Sequence, residues 1–234
     1  MGSPLLRDTE SSALMSTISS RIDIGFAEDR KTWSENKAIY DEHTLRIAGH
    51  PVMEDWELGY MHDLAKIASR NGGRVLELGF GLGLSAKAIQ KRGIKDHYLI
   101  ECHPDVIARA AKDMHQDIAN RTFHLLTGFW EDVTPLLADG IFDGILFDTY
   151  PLSEAEIHKN HFWFFEEAYR LLKPGGVFTY YSDEANDFSP SHKQKLLEAG
   201  FREENITFEL SHVEPPEDCE YWKDSTFISP IIIK

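Results

Sequence analysis

The 234-residue sequence predicts an α/β fold: a mostly parallel central sheet, helices on both faces and a C-terminal antiparallel hairpin. Three observations carry this expectation. Apolar runs rich in β formers recur along the chain, as RVLEL from Arg74, HYLIE at 97–101, TFHLLTG at 122–128 and FDGILFD at 142–148. Amphipathic stretches of helical period separate them, and strands alternating with helices form parallel sheets covered on both sides. Two late β segments, ITFEL at 206–210 and the terminal FISPIIIK, have no helix between them and read as a hairpin on the sheet edge.

Taken in order, residues 1–30 are polar and Ser-rich without sustained periodicity, so a flexible N-terminal arm with room for one short helix precedes a single domain at 31–234. From Trp33 to Ser69, apolar residues including Leu45, Val52, Met53, Trp56, Tyr60, Met61 and Leu64 recur mostly at three- and four-residue steps. That spacing predicts a helical cap over about 33–69. Gly72 and Gly73 then punctuate the chain, and the strand from Val75 ends in the glycines 79, 81 and 83. A helix over 85–91 leads to HYLIE, and an amphipathic helix over 105–118 to the third strand. Beyond FDGILFD come a loop, a helix over 164–172, a KPGG turn, the strand VFTYYS and a short helix over 193–198. No internal repeat is visible.

Composition narrows the function. With 42% hydrophobic residues the chain can bury one substantial core. A net charge of −15 and a pI near 5.1 exclude a nucleic-acid partner, which needs clustered Lys and Arg, and suit a cationic or zwitterionic small molecule. Excess carboxylate also simply keeps proteins dispersed. Cys102 and Cys219 make neither a disulfide framework nor a C-x-x-C site, so reduced thiols are expected. No run approaches the roughly 20 apolar residues of a membrane span, and the first residues lack a signal-peptide pattern. A cytoplasmic protein without a membrane partner is the expectation.

The glycine turn points to a ligand. Gly79, Gly81 and Gly83 follow Glu77 at the end of an apolar strand, where glycine lets the chain turn sharply and a ligand approach the backbone. The spacing G-x-G-x-G with an acid before it differs from the G-x-G-x-x-G that aims a helix at a pyrophosphate, and favours an adenosine-type cofactor without phosphates. Glu101 ends the next strand at the distance expected of an acidic ribose ligand, about 20 residues on. Standing alone it has a second reading as a solvated strand end.

The combined signatures VLELGFGLG with LIEC, GILFDTYPLSE, LLKPGG, and TLRIAGHPVMEDWELGYMH at 44–62 closely resemble the guanidinoacetate N-methyltransferase family, from about Trp33 to the C-terminus. The resemblance implies a Rossmann-like class I methyltransferase fold, S-adenosylmethionine as cofactor, and a small guanidino compound as substrate of a monomer or homodimer. It places Trp33, Met53 and Met61 around the cofactor. Along the methionine and ribose side it places Glu77, Gly79, Phe80, Gly81, Leu82, Gly83, Leu84 and Ser85, with Glu101, Cys102 and His103 at the ribose and Trp130 and Glu131 at the adenine. Met53, Met61 and Trp130 would otherwise read as core packing. Glu57 and Asp148 are implied to grip the guanidinium as the catalytic pair, with Tyr150 and Pro151 shaping the loop beside them. A planar cation with donors in a fixed fork is met best by carboxylates.

The segment after VFTYY departs from the family, reading SDEANDFSPS where a polar Asn-Leu-Thr-like run would meet a substrate carboxylate. Asp183 and Glu184 would repel that carboxylate if they faced inward and would suit an amino group, so L-arginine, agmatine or another amine-bearing guanidino compound stands beside guanidinoacetate. A solvated turn is the other reading of the two acids. His158 and His161 mimic a metal pair but lack an evident third ligand, so a surface role and no metal are expected. An O-methyltransferase is disfavoured because no D-D or D-N pair adjoins Asp148. A non-catalytic binding module is disfavoured by the joint presence of Glu57, Asp148 and the glycine turn.

Overall fold

A computed structural model describes Ala27, residues 29–153 and residues 156–234; residues 1–26 of the expected arm, and residue 28, lie outside the described residues. At the boundary of that arm a helix begins. Asp29 caps α1 (Arg30–Glu35) by accepting from the Thr32 amide at 2.7 Å. Three short strands follow: β1 (Ala38–Tyr40), β2 (Thr44–Ile47) and β3 (His50–Glu54). They pair antiparallel in the order β1-β2-β3, so residues 38–54 form a β-meander and the expected helical cap is confined to its two ends. Ala48 and Gly49 both have positive φ, 52° and 86°, which matches the tight turn that joins twisted strands. Pro51 sits on the edge strand, where its missing N–H costs no ladder bond.

After a 3₁₀ turn at Asp55–Glu57 comes α2 (Leu58–Ala68). The alternating body then runs β4 (Arg74–Leu78), α3 (Leu84–Gln90), β5 (Asp96–Glu101), α4 (Pro104–Asp113), α5 (His115–Ala119), β6 (Phe123–Thr127), α6 (Trp130–Val133) and β7 (Phe142–Phe147). It ends with α7 (Phe165–Leu171), β8 (Leu172–Tyr180), α8 (Pro190–Glu198), β9 (Ile206–His212) and β10 (Thr226–Ile233). The helix expected over 105–118 is thus two, broken at Met114. The KPGG segment is no turn ahead of a strand but an irregularity within β8, where the register against β7 shifts between Phe142 and Gly144.

The seven-stranded sheet has the order β6-β5-β4-β7-β8-β10-β9, with β10 antiparallel to both neighbours and the other pairs parallel. This is the Rossmann-like arrangement that the sequence resemblance implies, with helices on both sides. Alternation along the strands feeds two cores. Leu76, Leu78, Ile145 and Phe147 pack with Phe164, Phe165 and Leu171 on one face, while Val75 and Leu146 pack with Met61, Leu64 and Ala65 of α2 on the other. At Gly144 a Cβ would lie 1.7 Å from the Ala68 carbonyl oxygen, so glycine is what allows α2 to close on β7. Because β4, β5 and β7 are parallel, their carboxyl ends open on one edge, where α/β sheets bind ligands. No helix among the described residues is long and apolar enough to cross a membrane.

Candidate active site

A cavity of about 350 Å³ lies at that edge, within the range of small-molecule sites. Its floor is the turn after β4. Gly79 has φ 88°, and a Cβ there would fall 1.9 Å from the Asp148 carbonyl oxygen, so this glycine lets the first and fourth parallel strands end side by side. Glu101, buried at the end of β5, accepts from the amides of Phe80 (2.9 Å), Cys102 (2.8 Å) and His103 (2.9 Å). Three of its roughly four acceptor positions are thereby used, which leaves room for one hydroxyl donor. Burial pushes the Cys102 thiol up to about 12, so it is a protonated wall group and no nucleophile.

The meander roofs this half. Leu45 and Met53 are paired across β2 and β3, and Met53 Sδ accepts from the Leu82 amide at 3.3 Å, which docks β3 onto the glycine turn. From α1, Trp33 stacks on Tyr150 with ring centroids 5.6 Å apart and meets the His103 ring edge-on. At one end Trp130 fixes the wall by packing edge-on against Phe147 and Phe164, while Glu131 pairs with Arg30 at 3.4 Å.

The other half is built from acids. The 3₁₀ turn at 55–57 presents Glu57, only 3% exposed, and its Oε1 accepts from the Glu54 amide at 3.0 Å and from the Tyr221 hydroxyl. Asp148 follows β7, its amide donating to the Leu78 carbonyl at 2.9 Å. Burial first, then the Glu57 charge, raises its pKa well above the ordinary carboxylate value. Asp183 stands on the next loop, 3.0 Å from His158 Nδ1. His161 is 1% exposed, lines the cavity, and burial lowers its pKa to about 3. Both histidines therefore belong to the cavity wall; the expected surface role fails because the loop after β7 folds back over the sheet edge.

The walls thus gather Trp33, Met53, Glu57, Gly79, Phe80, Gly81, Glu101, Cys102, His103, Trp130, Glu131, Asp148, Tyr150 and Asp183 from the residues singled out in the sequence. Others lie outside the cavity lining. Met61 is buried in the core under α2, and Leu82, Gly83, Leu84 and Ser85 lie behind the turn, where Gly83 makes space for the Phe80 ring. Glu77 is fully buried and faces the opposite side of β4, holding the Ser85 hydroxyl and His97 Nε2 at 2.9 Å. Glu184 turns away to His192 and the Ser189 amide. Sequence reading missed Tyr181, Asn160 and Tyr221; the aromatic pair Tyr221-Trp222 after Cys219 was the available signal for the last. Among the described residues no group of three or more His, Cys, Asp and Glu is placed to hold a metal.

Residues 25–234 match the protein family described as guanidinoacetate N-methyltransferase. The chain is similar to protein arginine N-methyltransferase 2 of Yarrowia lipolytica, 28% identical over 88% of this chain and 46% of that one. The protein of the same name from Kluyveromyces lactis is 33% identical over 67% and 39%. The chain therefore spans about half the length of these relatives or less. Among solved structures it resembles spermidine synthase of Thermotoga maritima, with TM-score 0.60 and 18% identity over 81% of this chain and 65% of that one. It also resembles M. jannaschii TYW2 in complex with AdoMet, with TM-score 0.56 and 14% identity over 85% and 87%.

Proposed function

The chain belongs to the guanidinoacetate N-methyltransferase family, and from that premise we propose that it is an S-adenosylmethionine-dependent N-methyltransferase acting on a guanidino group. The observation that carries the reading is the convergence of Glu57, from the 3₁₀ turn before α2, and Asp148, just after β7, on one cavity with the glycine turn. The cavity suits the donor: the close-approach turn at 79–81, the remaining acceptor position of Glu101 and the Trp33, Met53 and Tyr150 walls would hold it. When bound, the donor supplies an electrophilic methyl group, so the protein's task is positioning and the handling of one proton.

A guanidinium is protonated and delocalised at neutral pH, so its nitrogens are poor nucleophiles. Glu57 and Asp148 accept from its N–H groups and localise the positive charge on the nitrogens they hold. The nitrogen left unheld would be the one that a bound donor could methylate, and Asp148 accepts the proton which that nitrogen loses. The raised pKa of Asp148 suits that acceptance. Glu57, fixed by Tyr221 and the Glu54 amide, orients the cation.

Guanidinoacetate, free arginine and agmatine all present this cation. The similarity to proteins named protein arginine N-methyltransferase 2 favours a second reading, an arginine side chain in a protein, and Trp163, 71% exposed on the cavity rim, offers a contact beyond the cavity. Incubation with methyl-labelled donor and guanidinoacetate, arginine, agmatine, an arginine peptide and catechol tests the proposal. Label in a guanidino product supports it; label only in catechol, or in nothing, overturns it.

A further inference from the structure

Within electrostatic range of Asp148 the cavity wall carries a further acid, Asp183, and its setting is built rather than incidental. Among the described residues lining the cavity there is no lysine or arginine, against the carboxylates Glu57, Glu101, Glu131, Asp148, Glu156 and Asp183. Arg30, just outside, is engaged by Glu131 and Asp132. Asp183 has φ 55° and His158 φ 58°, a left-handed conformation that costs a non-glycine residue energy and that recurs at ligand sites. The two strained residues, from the loops after β8 and β7, meet each other at 3.0 Å. The Asp183 loop is pinned beneath: Ser182 Oγ donates to the Ile228 carbonyl at 2.8 Å, its amide donates to Tyr60 at 3.2 Å, and Ile228 donates to the Glu184 carbonyl at 2.9 Å.

A second observation is independent of this acid. His161, 1% exposed, lines the same cavity and makes no hydrogen bond through either ring nitrogen, and the Tyr181 hydroxyl, from another part of the lining, is likewise without a hydrogen-bond partner. A buried polar group left so is costly unless a ligand completes it. With its pKa held near 3, His161 is a neutral imidazole at pH 7, able to accept from a cation that an imidazolium would repel.

We propose that Asp183, positioned by His158, forms with His161 a second subsite that binds an ammonium group at the far end of the acceptor. The acceptor is then an ω-guanidino amine and not a guanidino acid. This deepens the reading of Glu57 and Asp148 as the guanidinium clamp and rests on it. An acid tail would meet the Asp183 carboxylate in a cavity whose described lining holds no lysine or arginine, whereas an ammonium makes a charge-assisted bond in a partly desolvated site.

The test is steady-state kinetics with three acceptor series carrying two to five methylenes between the guanidino group and an ammonium, a methyl or a carboxylate. The best amine is expected to exceed the best acid in kcat/KM at least about tenfold. In Asp183→Asn the amine-to-methyl ratio is expected to fall about tenfold. Equal or better turnover of the acids, an unchanged ratio in Asp183→Asn, or an arginine peptide outpacing every amine overturns the subsite. Should the variant fail to fold, the wild-type series still decides. Methylation of the alkylguanidines without amine preference sinks the subsite alone, whereas methylation of none of the guanidines sinks the guanidino reading with it.

Discussion

A carboxylate that must accept a proton at neutral pH does so better when its acid form is favoured, and Asp148 is placed where burial and then the Glu57 charge favour it. The same placement opposes folding. A group whose pKa is raised in the folded state contributes stability below its unfolded value and loses it as pH rises through the folded one. Asp148→Asn is therefore expected to melt higher than the parent at neutral and alkaline pH, the gap closing in acid, while kcat falls about 10²–10⁴-fold. Melting curves at several pH values and single-turnover rates check the two halves separately. In the parent, kcat/KM should rise with pH through the raised Asp148 value, and the Asn variant should lack that limb. Tyr221→Phe removes one donor from Glu57, so KM for the acceptor should rise about fivefold with a smaller change in kcat. Glu57 and Asp148 were legible because short motifs carry them. Tyr221 was not, since it reaches Glu57 from 164 residues away on a loop without period.

The strands of the body were readable because buried parallel strands are nearly continuous apolar runs. The meander was not. Leu45, Ile47, Val52, Met53 and Trp56 happen to fall near helical steps, and short apolar runs do not distinguish the two periods; the turn at Ala48-Gly49 was the signal that weighed the other way. Its consequence is functional, since a helix there could not set Met53 across from Leu45 above the glycine turn. Among the described glycines the closest approach is at Gly144, where α2 meets β7. Gly144→Ala puts a methyl 1.7 Å from backbone and is expected to cost about 3 kcal/mol. At about 2–4 °C per kcal/mol, the midpoint should drop by about 6–12 °C. Gly59→Ala, exposed in the same helix with nothing within 4 Å of the new methyl, should instead raise the midpoint by about 2 °C.

Over the whole molecule the charge of −15 and the acidic cavity would act together on the cationic acceptor proposed above. Raising ionic strength from about 20 to 500 mM shortens the Debye length severalfold, so KM for a cationic acceptor should rise several-fold while kcat holds; a neutral competitor should show no such dependence. The fold class and the order of the body followed from alternation, but the place of β10 inside the sheet, between β8 and β9, carries no local pattern. That placement matters during translation. When β9 leaves the ribosome its one neighbour in the sheet among the described residues is still unmade, and the free edge of β8 waits with it until residues 226–233 emerge. The nascent chain thus holds two unpaired strand edges for the time it takes to synthesise the intervening loop, a window in which a chaperone, or another nascent copy, meets backbone that the finished protein never shows.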